Sequence, residues 1–398
     1  MSRPIPDAAP RGMSTGLAIL FAVAGGAAVG SLYWAQPILA IIADGLSVST
    51  STAGLLIAVT QIGYALGVFL LVPLGDILDR RRLIPALMLL AAIVLALSAL
   101  APSFAVLLIA LTLVGASTVA GQLLAPLAGD LAADDERGRM LGIVASGLLL
   151  GITISRAISG FITELTGWRP LYGFVAVVMA ILAAVMHRML PTLPPRARVP
   201  YPEVVASVLR APALSAAVRW LGVVGAASMA TFTLFWTGLT FLLTEEPFDL
   251  SPSQIGLMSL VGIVGAVAAM RVGRLYDRGC ATPVIGAGLA VALTGLSFAG
   301  SGATSLTAII VAIALYSVGI QCVMVLTQAR MLAIDPTSRS RLNTVFVVAS
   351  FVGGALGSVL ASSLWDVGGW PAVISVAIVI LGIAVAVWAA QRTRSFAR

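Results

Sequence analysis

Twelve long apolar stretches, separated by short polar breaks, constrain this chain more than any other feature. They run roughly over 16–43, 52–74, 83–101, 104–131, 140–163, 170–190, 214–243, 253–272, 281–300, 306–333, 342–365 and 371–391. A helix needs about 20 apolar residues to cross a bilayer's hydrocarbon core. Strands would alternate with period two, which these runs do not. The breaks, such as "GDILDRRR", "ADDERGR" and "TEEPFDLSP", combine turn residues with charge. Only 10% of residues are charged, against about 25% in a soluble domain. The chain therefore reads as an all-α, multi-pass membrane protein. Its first run is too long for a signal-peptide core and is read as a retained helix.

Arginine sets the orientation, because the 23 basic residues include no lysine. With the N-terminus in the cytoplasm, 21 of them fall at cytoplasmic breaks or tails. Only Arg169 falls outside, and only Arg156 falls within the membrane. This positive-inside bias puts both termini in the cytoplasm. Arginines spread over helix ends do not make a nucleic-acid-binding patch. Cys280 and Cys322 fall at different depths, so no disulfide is expected.

The chain also repeats. Shifted by 202 residues, Arg137, Arg139, Gly151, Glu164, Gly167 and Trp168 fall on Arg339, Arg341, Gly353, Asp366, Gly369 and Trp370, and Gly54 falls on Gly256. Gly75, Asp79 and Arg80 match Gly273, Asp277 and Arg278 at a shift of 198. The expected organisation is a six-helix half over 1–190, a proline- and arginine-rich cytoplasmic linker over 191–213, and a second half over 214–398. Such repeats usually place a binding site between the halves, near mid-membrane.

On these grounds the chain resembles the major facilitator superfamily. "GDILDRRR" is similar to that family's loop after helix two, through Gly75, Asp79 and Arg80, and "GRLYDRG" fits through Gly273, Asp277, Arg278 and Gly279. The stretches "LYWAQPIL", "GLLLGITISRAISG" and "SRLNTVFVVASFVGGALGS" resemble bacterial inner-membrane exporters of drugs and metabolites. The exporters' helix-five antiporter signature survives only as Gly147 and Gly151, and the helix-four arginine of many proton-coupled members is absent. The resemblance implies a secondary transporter, proton-coupled and exporting small organic molecules from the cytoplasm. It also implies that Asp79 faces the start of helix eleven near Leu342 and Asn343. Arg80 or Arg82 would reach Asp130, latching the cytoplasmic side. The alternative for the three arginines is plain anchoring of helix ends.

Polar residues inside the runs are the candidate cavity. Gln36, Gln61, Gln122, Gln321 and Gln328 lie within predicted spans, and amides facing lipid would be left unsatisfied. Tyr33 neighbours Gln36 on helix one, and Tyr64 lies three residues beyond Gln61. Pro37 and Pro126 should bend their helices near Tyr33 and Gln122. On helix seven, Trp236 shares a face with Met229, Thr233 and Thr240, with Phe232 beside it, a wall suited to lipophilic ligands or simply to packing.

Arg156 is the sharpest feature. Thr153, Ser159, Gly160 and Thr163 form a polar stripe with it, and no Asp or Glu occupies the central part of any run. Burying it costs about 2.5–3.5 kcal/mol on insertion scales. It is a poor proton carrier but a good anion ligand. Its partners must be carbonyls, glutamines, water or a substrate. An uptake carrier or exchanger for an anionic metabolite, with Arg156 as counter-charge, therefore stays open beside the exporter, as does a membrane sensor. No metal set or Ser–Lys dyad appears, so neither enzyme, metal nor cofactor is expected. A monomer in the bilayer with a small-molecule substrate is.

Overall fold

The computed structural model describes residues 13–133, 135–191, 200–335 and 338–393. Twelve helical segments cross the bundle. The first, α1, is Thr15–Gly30 continued through a 3-10 turn at Gln36–Ile38 into Leu39–Gly45. It is followed by α2 Thr50–Ile77, α3 Arg80–Ala99, α4 Phe104–Leu131, α5 Arg137–Thr166 and α6 Trp168–Met189. The second set is α7 Ala216–Thr244, α8 (Pro252–Met258, Ser259–Gly262 and Ile263–Asp277), α9 Ala281–Ser301 and α10 Leu306–Ala333. The helix Arg339–Gln391 completes it, with non-helical backbone at Gly368 and Gly369. That break divides it into α11 and α12. Ten of these helices, Arg339–Gln391 counted as one, are long and apolar enough to cross a membrane.

The repeat has a backbone counterpart. Gly167, between α5 and α6, has φ +87°, and Gly369, between α11 and α12, has φ +56°. A side chain at either position would strain the left-handed turn. The two helix pairs thus turn back at matched glycines, each followed by a buried tryptophan, Trp168 and Trp370.

Two expectations are revised. The region 191–213 is not simply a proline-rich linker. Its later part forms a helix, Tyr201–Leu214, with Val208 and Ala211 buried. Tyr201 donates to the Leu70 carbonyl at 2.7 Å. Valines at 204, 205 and 208 give this segment an apolar face that can pack. Secondly, α4 is irregular at Thr118 and Val119, one turn before Gln122. Thr118 Oγ1 returns to the Val114 carbonyl at 2.9 Å, which supports the break there. In α1 the irregular stretch falls before Pro37, as expected.

The helices join across the halves at both ends. The arginine-rich end carries the breaks between α2 and α3, α4 and α5, and α10 and α11. Opposite it, at the arginine-poor end, α5 meets α8 backbone to backbone. A Cβ on Gly160 would strike the Pro252 carbonyl, and one on Gly256 would strike the Arg156 carbonyl. Only glycine allows this approach. Separately, Ser358 of α11 donates to the Gly54 carbonyl of α2 at 2.9 Å.

Candidate functional site

That close crossing fixes Arg156 at the junction of the halves. Its side chain lies on the inward stripe of α5 and is 3% exposed. Three rings crowd it: the guanidinium carbon lies 4.5 Å from the Trp236 centroid, 4.8 Å from Tyr33 and 5.3 Å from Phe232. Tyr33 comes from the first half, Trp236 and Phe232 from the second. A desolvated cation–π contact is worth about 2 kcal/mol or more, which offsets part of the burial cost. Ring faces do not satisfy N–H donors, however. Among the described residues, Nε and Nη2 of Arg156 have no hydrogen-bond partner, and neither do Trp236 Nε1 and Gln36 Oε1. Buried polar groups are normally paired, so four unpaired atoms around one small space mark a candidate site.

The space itself is a cavity of about 10 Å³, lined by Gln36, Pro37 and Arg156 from one half and by Trp236, Thr240 and Ser259 among others from the second. It can hold about one water. Ser259 belongs to the 3-10 stretch of α8 and donates to the Thr153 carbonyl of α5 at 3.1 Å. A 3-10 stretch inside a long helix is a common hinge signature.

The remaining candidates fall into two further groups. Gln36 Nε2 donates to Thr237 Oγ1 at 3.5 Å, and Gln61 Nε2 to Thr233 Oγ1 at 3.0 Å. Both bonds cross between the halves, leaving Gln61 Oε1, like Gln36 Oε1, unpaired. Nearer the arginine-rich end, Gln328 Nε2 donates to Asn343 Oδ1 at 2.8 Å. Asn343 Nδ2 donates to Gln122 Oε1 at 3.2 Å, and Gln122 Nε2 to the Tyr64 hydroxyl at 3.0 Å. The Tyr64 ring lies 4.3 Å from that of Phe351. This amide chain ties α2 and α4 to α10 and α11. Gln321 is partly buried on α10 and joins neither group among the described residues.

The arginine-rich end follows the expectation for Arg80 and departs from it for Asp79. Of the two arginines expected to reach Asp130, Arg80 does, and it is buried. It donates from Nη1 to Asp130 at 3.0 Å, from Nη2 to Asp76 at 3.1 Å and from Nε to the Gly75 carbonyl at 2.7 Å. Arg82 is exposed. Asp79 does not face α11: it caps α3, accepting from the Arg81 amide at 2.9 Å. The carboxylate that meets α11 is Asp76, which accepts from Ser340 Oγ at 3.3 Å. Asp76 stands one helical turn before Arg80, the spacing at which side chains pair. Gly273 and Arg278 are exposed, and the Asp277 side chain lies outside the described residues.

The opposite end holds a matching contact. Glu164 of α5 accepts from Ser251 Oγ at 2.8 Å and from the Ser253 amide at 3.1 Å, where α8 begins. Carboxylates from the first half therefore meet second-half helix starts at both ends of the bundle. An apolar groove of about 1070 Å³ also opens between α1, α5 and α6 on one side and α8 and α10 on the other, past Gly147, Leu150, Phe174 and Met270.

A bundle of apolar helices whose halves touch near both ends around a polar centre suits a membrane carrier. The sequence agrees. Residues 17–335 match the model of the Major Facilitator Superfamily, and the chain belongs to that family. It is 36% identical over 376 residues to the uncharacterized transporter YgaY of Escherichia coli O157:H7, covering 94% of this chain and 95% of that one. It is 34% identical over 354 residues to the probable transporter SCO4007 of Streptomyces coelicolor, covering 87% and 81%. Among solved structures it resembles a bacterial homolog of the human lysosomal transporter Spinster, in an inward-facing and unoccupied conformation. There the TM-score is 0.74 and the identity 16%, over 96% of this chain and 97% of that one. The chain is a multi-pass membrane transporter and not an enzyme.

Proposed function

We propose that this chain is a secondary transporter that exports small organic solutes across a bacterial inner membrane by alternating access, with the arginine-rich end in the cytoplasm. The orientation rests on the arginine bias. The two six-helix halves are the moving bodies, and each end of the bundle is one gate. At the cytoplasmic gate, the Asp76–Ser340 contact and the Gln122–Asn343 bond must break for the centre to open inward. At the external gate, Glu164 must leave Ser251 and Ser253. Each contact is modest, a typical side-chain pair in a membrane protein being worth about 0.6 kcal/mol. The closed form is thereby held without being locked.

One observation carries the solute site: the buried guanidinium of Arg156, between the halves, with two donors unpaired. Because Trp236 and Phe232 belong to the second half, parting the halves at either gate withdraws rings from Arg156. A solute group then takes their place. The same observation favours a solute with negative charge or dense oxygen over a cation. Export and the proton gradient as drive rest on the exporter-like stretches of α1, α5 and α11.

The test is reconstitution. Purified protein in liposomes is screened for flux of labelled organic solutes, with and without a pH gradient. Accumulation driven by the gradient supports a proton-coupled carrier. Flux that ignores the gradient but requires solute on the far side identifies an exchanger instead.

A further inference from the structure

Which donors of Arg156 are free decides what the site can hold, and this inference rests on the central site proposed above. In a guanidinium, the Nε–H bond and one Nη2–H bond point the same way along one edge. In Arg156 both of these nitrogens are fully buried and have no partner among the described residues. A single edge with two parallel donors matches the two oxygens of a carboxylate, side on. Trp236 Nε1, also unpaired, adds a donor on the cavity wall, and the free Gln36 Oε1 adds an acceptor.

Charge and shape narrow the class further. Arg156 is the only charged residue lining this cavity. One cation balances one negative charge, and a second buried charge would be left uncompensated at high cost. Three π faces surround the guanidinium at 4.5–5.3 Å, and their electron-rich surfaces disfavour extra negative charge. Pro37, Leu239, Leu243 and Ile255 complete the lining, which suits an apolar body. The closed cavity of about 10 Å³ has room for about one water, so a solute enters only as the halves part. For that form the geometry points to a monocarboxylate with an apolar body, its carboxylate held side on by Nε and Nη2 of Arg156 and its body between the parted halves, against Trp236 and the aliphatic wall.

The experiment measures the Tm of purified protein in detergent against rising concentrations of five probes. They are benzoate, cyclohexanecarboxylate, benzamide, benzylammonium and inorganic phosphate. The two carboxylates should raise Tm in a concentration-dependent way, and the other three should not. Arg156→Ala should lose the response. Arg156→Lys, which keeps the charge but not the edge, should bind benzoate about tenfold more weakly, the cost of one charged hydrogen bond. The unmodified protein supplies the probe comparison even where a variant folds poorly. If benzamide acts as strongly as benzoate and both need Arg156, the carboxylate inference falls while the central site stands. Stabilisation by phosphate alone overturns the monocarboxylate in favour of a tetrahedral oxyanion. Equal responses in the parent and in folded Arg156→Ala overturn the site as well. No response to any probe overturns the monocarboxylate class.

Discussion

Asn343 of α11 donates to Gln122 of α4 at 3.2 Å, and this one bond joins two helices from opposite halves of the bundle. It is the middle link of the chain from Gln328 to Tyr64, so its loss frees both ends. The one bond between the halves contributes about 0.6 kcal/mol, roughly a threefold shift between closed and open forms. Gln122→Ala and Asn343→Ala should each raise the labelling of a cysteine placed at Ser350, buried two turns further along α11. The background lacks Cys280 and Cys322. Unchanged labelling would show that the amide chain does not hold the gate.

The carboxylates at 76 and 79 should separate cleanly. Asp76→Ala removes the contact with Ser340 and one of the two carboxylates paired with Arg80, and should raise labelling from the arginine-rich side. Asp79→Ala removes the cap of α3, which costs about 0.5–2 kcal/mol. It should lower Tm while leaving labelling unchanged. The reverse pattern would return the gate to Asp79.

Backbone contact between α5 and α8 makes a steric prediction. Gly160→Val and Gly256→Val drive side chains into the facing carbonyls, and overpacking costs about 1–3 kcal/mol. Both should lower Tm and increase accessibility of Arg156→Cys from the arginine-poor side. Gly273 has nothing within 4 Å of an added Cβ. Gly273→Ala should therefore raise stability by about 0.5–1 kcal/mol through helix propensity. A gain at Gly160 or Gly256 would contradict the close crossing.

The spans could be read directly because each apolar run is long enough to be unambiguous, and the matched glycines 167 and 369 announced the turn-backs. Arg156 stood out because a charge in an apolar run has few explanations. Its companions did not. Tyr33, Phe232 and Trp236 lie 76 to 123 residues from it along the chain, and only folding brings their rings together. The register of the loop after α2 was misread for a related reason. A motif match puts its weight on Asp79, but a helix that starts at Arg80 uses Asp79 as its cap and leaves Asp76 to face α11. The 3-10 stretch Ser259–Gly262 has no sequence signature, since its cause is the contact of Ser259 with α5.

Orientation has its own check. Single cysteines at Gly302 and Asp249, at the arginine-poor end, should label from outside intact cells. One at Gly138 should label only in inverted vesicles. A reversed pattern would exchange the two gates and turn export into uptake.

The most direct test of the account compares Arg156→Ala and Arg156→Lys with the parent, for Tm and for flux of the solute that the liposome screen shows to move fastest. Removing a buried cation relieves an insertion cost of about 2.5–3.5 kcal/mol but gives up its ring contacts, each worth about 2 kcal/mol when desolvated, so Arg156→Ala should insert and keep a Tm near the parent's. Its flux should nevertheless fall to background, and Arg156→Lys should recover only part of it. A folded Arg156→Ala protein that transports at the parent's rate would contradict the central role of the guanidinium.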